Sequence, residues 1–168
     1  DKPLMKVLLK IPFLDDQLLA KVREKLEESF GGNVKQIIVG GAALNKEVEL
    51  FMQKIGFPLT VGYGMTECAP LISFAPPCEF KAGSCGRNLP GLMDVKIDSA
   101  DPYKIAGEIL VHGENVMMGY YKNEDATKAV LDKDGWLHTG DMGVVDPDGT
   151  IYIKGRCKTM ILTGTGQN

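Results

Sequence analysis

KQIIVGGAALNKEVELFMQKIGFPLTVGYG, residues 35–64, decides the fold class. Lys35-Gln36-Ile37-Ile38-Val39 is a short apolar strand that runs into Gly40-Gly41. Asn45 is placed to cap a helix that continues to about Ile55, with Val48, Phe51, Met52 and Ile55 as its buried face and Gly56 as its stop. Leu59-Thr60-Val61 is a second apolar strand, closed by Gly62-Tyr63-Gly64. Strand, helix and strand at this spacing make a βαβ unit, whose expected context is a parallel sheet.

Upstream, Asp15 or Asp16 can cap another helix, in which Leu18, Leu19, Val22, Leu26 and Phe30 recur at helical spacing until Gly31-Gly32 ends the run. Downstream, Pro76-Pro77 breaks the alternation. The remainder is rich in glycine and reads as β with tight turns. Asp94-Val95-Lys96-Ile97 and Glu108-Ile109-Leu110-Val111-His112 read as strands, and Asp132 to Gly135 is a turn signal. Asp146-Pro147-Asp148-Gly149 lies between Met142-Gly143-Val144-Val145 and Thr150-Ile151-Tyr152-Ile153, which predicts a hairpin. Asn123-Glu124-Asp125-Ala126-Thr127 opens the one helix expected here, to about Leu131. The fold class is therefore an α/β subdomain over residues 1–77 and a small β-barrel-like or curled-sheet subdomain over 78–157, with 158–168 opening a further unit. Asp1-Lys2-Pro3 and Gly166-Gln167-Asn168 both read as cuts in a longer chain.

The 168 residues, 44% apolar and 24% charged, suit one ordinary core or two small subdomains sharing one. A net charge of −3 with no basic stretch gives no electrostatic case for nucleic acid. No apolar run reaches the roughly 20 residues of a membrane helix. Cys68, Cys78, Cys85 and Cys157 form no Cys-x-x-Cys pair, and His112 and His138 cannot complete a clustered zinc site. Reduced thiols in a cytoplasmic protein are the expectation.

Three clusters carry chemistry. Gly62-Tyr63-Gly64-Met65-Thr66-Glu67 turns sharply at the carboxyl end of a strand, where ligands bind in open α/β folds. It offers in succession an aromatic face, a hydroxyl and a carboxylate, a set suited to a nucleotide by ring stacking, a phosphate hydrogen bond and a magnesium ligand. Gly40-Gly41-Ala42-Ala43 follows the earlier strand and leaves room for a flat ring against backbone. In Trp136-Leu137-His138-Thr139-Gly140-Asp141, the carboxylate after a tight turn can accept two ribose hydroxyls, and Arg156 in Gly155-Arg156-Cys157-Lys158 can fork onto oxygens. Taken alone, each has a structural reading as a core tyrosine, a small-residue strand end, a self-capping aspartate or a solvated basic turn.

In their order these segments, together with Gly107-Glu108-Ile109-Leu110-Val111 and Gly119-Tyr120-Tyr121, closely resemble the adenylate-forming (AMP-binding) superfamily of acyl-CoA synthetases, luciferases and peptide-synthetase adenylation domains. The resemblance runs from about residue 36 to the end. Within it, Met65 to Ser73 and Lys158-Thr159-Met160-Ile161-Leu162 look most like bacterial long-chain fatty-acid–CoA ligases.

The resemblance implies an enzyme that joins a carboxylate to the α-phosphate of ATP with loss of pyrophosphate, then passes the acyl group to CoA. ATP, Mg2+ and CoA are the implied cofactors, and fatty acid, ATP and CoA the implied small-molecule partners. Carried onto this chain, Gly41, Ala42, Tyr63, Gly64, Thr66, Asp141 and Arg156 would bind the nucleotide. Tyr63 would stack on adenine, Thr66 would bond the phosphate, and Asp141, assisted by Arg156, would take the ribose hydroxyls. Glu67 would hold magnesium, offsetting charge in phosphoryl chemistry. Lys158, where many relatives carry aspartate, would mark the hinge of the mobile C-terminal domain, and Gly164-Thr165-Gly166 would lie by the CoA path.

The superfamily's Ser/Thr/Gly-rich phosphate loop and its late catalytic lysine do not occur in these residues. Weak or absent turnover by the 168-residue chain alone is the expectation, with self-association through uncovered apolar faces. The parent is left room for peripheral membrane contact without a span. Three rivals stand beside the ligase: a catalytically silent nucleotide-binding relative, an interaction module, and an adenylating enzyme that loads a carrier protein.

Overall fold

The computed structural model describes residues 16–42 and 44–158. The cap on Asp15, Ala43 of the Gly-Gly-Ala-Ala segment, Thr159 to Leu162 and the 164–166 loop lie outside the described residues.

The decisive stretch forms the unit its pattern requires. Helix α1 (Asp16–Ser29) precedes strand β1 (Ile37–Val39), helix α2 (Lys46–Lys54) and strand β2 (Leu59–Val61). β1 and β2 pair in parallel, with Ile37 against Leu59 and Val39 against Val61. Asn45 caps α2 by accepting the Glu47 N–H at 2.8 Å. Gly56 ends it at φ +67°, the left-handed conformation that glycine adopts without steric penalty. Phe51, Ile55 and Phe57 form a small core, against which Leu19, Val22 and Leu26 of α1 pack. Leu18 and Phe30, assigned to the same face, are more than 45% exposed, although the Phe30 ring still lies 5.9 Å from that of Phe57. Glu49 is the unexpected member of α2. It is buried, and its carboxylate accepts the Gly83 N–H at 2.5 Å.

A second sheet, not visible in the sequence pattern, follows at once. Strands β3 (Tyr63–Gly64), β4 (Leu71–Phe74) and β5 (Arg87–Asn88) run antiparallel in that order. Strands of two to four residues leave little periodicity to read. Between β3 and β4 a single 3-10 turn, Thr66–Cys68, ends at Ala69 in the left-handed region, φ 57°.

The second half corrects the barrel expectation. Strands β6 (Met93–Asp98), β7 (Gly107–Gly113), β8 (Leu137–Val145) and β9 (Ile151–Arg156) form one antiparallel sheet in chain order, with short helix α3 (Glu124–Lys128) between β7 and β8. β6 and β9 are its opposite edges and do not pair, so the sheet stays open. Four strands span too short a perimeter to enclose a side-chain-filled interior, which in small barrels takes about eight. The hairpin at 146–149 forms as read. Asp146 Oδ1 accepts the N–H groups of Asp148 (3.0 Å) and Thr150 (2.9 Å), and Gly149 takes φ +81°. The main core runs through all of this, from Val61 and Ile72 to Ile109, Val111, Leu137 and Ile151.

Candidate active site

Asp141 and Arg156 are cross-strand partners in the β8–β9 ladder, and this register sets their side chains together. Arg156 Nε lies 2.8 Å from Asp141 Oδ1. From the other side, β3 delivers Tyr63, whose hydroxyl donates to Asp141 Oδ2 at 2.8 Å across 78 residues of sequence. Burial, then the hydrogen bond to Asp141 and its charge, push the Tyr63 phenol far up, so it stays a donor at every working pH. Asp141 is thus a buried carboxylate with both oxygens engaged, one by a neutral donor and one by a cation.

The backbone around it is equally fixed. Thr139 Oγ1 donates to the Ile109 carbonyl (2.8 Å) and accepts the Asp141 N–H (3.1 Å). The β7–β8 register shifts between Glu108 and Leu110, and the Glu108 side chain replaces the interrupted ladder. Its Oε1 accepts the Gly140 N–H at 2.9 Å, and its Oε2 lies 2.8 Å from His138 Nδ1. Gly140 sits at φ +71°, so the turn before Asp141 requires glycine. Glu108 and His138 belong to sequence motifs on separate strands, and their pairing carries no local signal in the sequence.

Gly41, Ala42, Tyr63, Gly64, Asp141 and Arg156 line one cavity of about 480 Å3. That volume falls within the roughly 300–1,000 Å3 of small-molecule sites. Lys46, Glu49, Ser84, Cys85 and Lys154 also line it. Gly64 must be glycine, because a Cβ there would overlap the Pro70 carbonyl. Burial pushes the Cys85 thiol, and that of Cys68 in the neighbouring turn, up to about 11. At neutral pH both are protonated, poor nucleophiles and poor metal ligands.

Thr66 and Glu67 do not line this cavity. They lie on the 3-10 turn beyond β3, with Thr66 exposed and Glu67 half-buried. Glu67 Oε1 accepts the Tyr120 hydroxyl at 2.7 Å, and that carboxylate, with some burial, pushes the phenol of Tyr120 up. Among the described residues no group of three or more His, Cys, Asp or Glu could cage a metal. One carboxylate beside one hydroxyl fits magnesium, which takes one or two protein oxygens and completes its octahedron with phosphate and water. Lys158 is exposed and is the last described residue, one turn beyond β9.

The family model for AMP-binding enzymes matches residues 5–121. The long-chain-fatty-acid–CoA ligase ACSBG1 of Macaca fascicularis is 37% identical over 154 residues, which cover 92% of this chain and 21% of that protein. The 4-coumarate–CoA ligase 2 of Narcissus pseudonarcissus is 40% identical over 157 residues, covering 86% of this chain and 27% of its own length. Among solved structures, the O-succinylbenzoate coenzyme A synthetase of Bacillus subtilis, in complex with ATP and magnesium ion, superposes with a TM-score of 0.67 at 30% identity. That match covers 84% of this chain and 32% of the synthetase. The chain therefore spans about a fifth to a quarter of the curated relatives it matches. With its family model matched across most of its length, the chain belongs to the AMP-binding enzymes.

Proposed function

We propose that this chain is part of an ATP-dependent acid–thiol ligase that activates a fatty acid as its adenylate and transfers the acyl group to CoA. The observation that carries the reading is the Tyr63–Asp141–Arg156 constellation on the wall of one cavity. Asp141 accepts the ribose hydroxyls, Arg156 pairs with it, and the Tyr63 ring lies along the base. Thr66 donates to the α-phosphate at the point of attack. Glu67 holds magnesium, whose charge offsets that developing on the phosphoryl oxygens. The carboxylate oxygen bonds to the α-phosphorus as pyrophosphate leaves. In the second step the CoA sulfur bonds to the acyl carbon and AMP leaves. Rotation about Lys158 separates the two steps.

Relatives named for a long-chain fatty acid and for 4-coumarate are similar to this chain at nearly the same identity, so the acid is decided by assay. The experiment is pyrophosphate release by the full-length parent with acetate through palmitate and with 4-coumarate, each with and without CoA. Release that depends on a long-chain acid, with the CoA thioester as product, is the expected result. Release on 4-coumarate alone moves the substrate class to aromatic acids. Adenylate without CoA thioester favours a carrier-protein acceptor, and no release with any acid overturns the ligase reading. The 168-residue chain alone is expected to give little or no turnover.

A further inference from the structure

Glu67 is gripped at two points, and its neighbour Cys68 at a third, by the stretch 114–120, which connects β7 to α3. Met117 N–H donates to the Glu67 carbonyl at 2.8 Å, and Asn115 Nδ2 donates to the Cys68 carbonyl at 2.8 Å. The third contact is the Tyr120 hydroxyl on Glu67 Oε1, at 2.7 Å. The grip leaves Asn115 Oδ1 buried with no hydrogen-bond partner among the described residues, an arrangement that costs free energy and persists because its surroundings impose it. Tyr120 is itself fixed from behind. Its N–H donates to Thr127 Oγ1 at 2.9 Å, and Gly119 before it sits at φ +146°. A Cβ on Gly119 would come within 2.8 Å of Thr127 Cγ2 and 3.0 Å of Oγ1, the atom that accepts the Tyr120 N–H.

We propose that Tyr120 is a positioning residue for the divalent cation: its hydroxyl holds one Glu67 oxygen and presents the other, Oε2, as a single ligand. The inference rests on the ligase reading, in which Glu67 meets magnesium. Octahedral magnesium takes one oxygen from a carboxylate and fills its remaining positions with phosphate and water. A half-exposed glutamate without this bond would sample several rotamers, each of which must be lost on binding. Hydrogen bonds to a ligating carboxylate typically change metal affinity or activity about 10–100-fold when removed.

The test uses the full-length parent with Tyr120→Phe, a change the 38% exposed ring accommodates. The Mg2+ concentration for half-maximal pyrophosphate release is expected to rise about tenfold, while KM for the acid stays unchanged. Binding of Mn2+ to the ATP-loaded protein, followed by electron paramagnetic resonance, is expected to weaken by a similar factor. Gly119→Ala is expected to reproduce both effects by displacing the ring. An unaltered Mg2+ requirement and Mn2+ affinity in Tyr120→Phe overturns the inference, as does an equal rise in KM for the acid. Absence of pyrophosphate release from the unsubstituted parent overturns the ligase reading instead, and the Mn2+ titration then still decides the role of Tyr120.

Discussion

Asp141 shows how much one carboxylate depends on residues distant in sequence. A buried anion is stable only where hydrogen bonds and an opposite charge replace water, and Tyr63 and Arg156 supply both. Arg156 is largely exposed, so its ion pair is screened, whereas the Tyr63 hydroxyl bonds Asp141 in the interior. Tyr63→Phe keeps the ring and removes only that donor. Hydrogen bonds to charged groups contribute roughly 1.5–3 kcal/mol, and a loss in that range is expected from chemical denaturation of the variant. An unchanged unfolding free energy would show that the hydroxyl is redundant. The sequence pointed to Tyr63, Asp141 and Arg156 separately, through motifs that each sit at a strand end. That Tyr63 and Asp141 bond each other was not legible, because the contact spans 78 residues. The burial of Glu49 was not legible for a related reason. Its place in the first turn of a capped helix suggests a solvated charge, and only the approach of Gly83 explains its burial.

At the level of elements, what was legible is what local chemistry encodes. Asn45 and Gly56 bound α2 because one supplies an acceptor to a free N–H and the other adopts a left-handed φ. The 146–149 turn was legible for the same reason, but its clasp was not. Lys81 reaches from the segment before β5 to Asp146 at 2.7 Å and Asp148 at 2.8 Å, tying the β8–β9 turn to the middle of the chain. The Asp146 carboxyl is held below its usual range: partial burial opposes this, but the Lys81 ammonium and the Thr150 and Asp148 N–H groups outweigh it. A carboxyl lowered in the folded state binds fewer protons than in the unfolded chain, so its contribution is full above the unfolded value near 3.9. It is lost as pH falls through the folded value, below about pH 4. Asp146→Asn retains the acceptor for the turn and removes the titration. A lower stability at neutral pH, converging with that of the unsubstituted chain in acid and so a flatter acid decline, is expected from thermal melts across the acid range. An acid limb identical to that of the unsubstituted chain would show that other carboxylates govern it.

Across the whole molecule, the two halves differ in how well they are covered. The main core joins β2, β3, β4 and the open sheet, with Ile72, Ile109, Val111 and Leu137 fully buried. The βαβ end is thinner. Its two strands make one ladder, its core is three buried residues, and α1 buries none of its own completely. An isolated two-stranded unit is marginal in water unless another element covers it. Leu18, Ile38 and Leu50 are each more than 40% exposed at this end. Of the barrel-like and curled-sheet readings, the barrel gives way to an open sheet, since strand alternation encodes which face is buried and says nothing of whether edge strands meet. The same blindness conceals which faces of a chain spanning about a fifth of its relatives are met by further residues. From the exposure of these side chains, the 168-residue chain alone is expected to bind a hydrophobic dye and to associate with increasing concentration in sedimentation velocity. Ile38→Lys, which sets a charge on the exposed side chain of β1, is expected to weaken that association while leaving the fold intact by circular dichroism. A chain that stays monomeric and dye-free at every concentration would show that α1 and the two-stranded ladder cover the apolar surface without help.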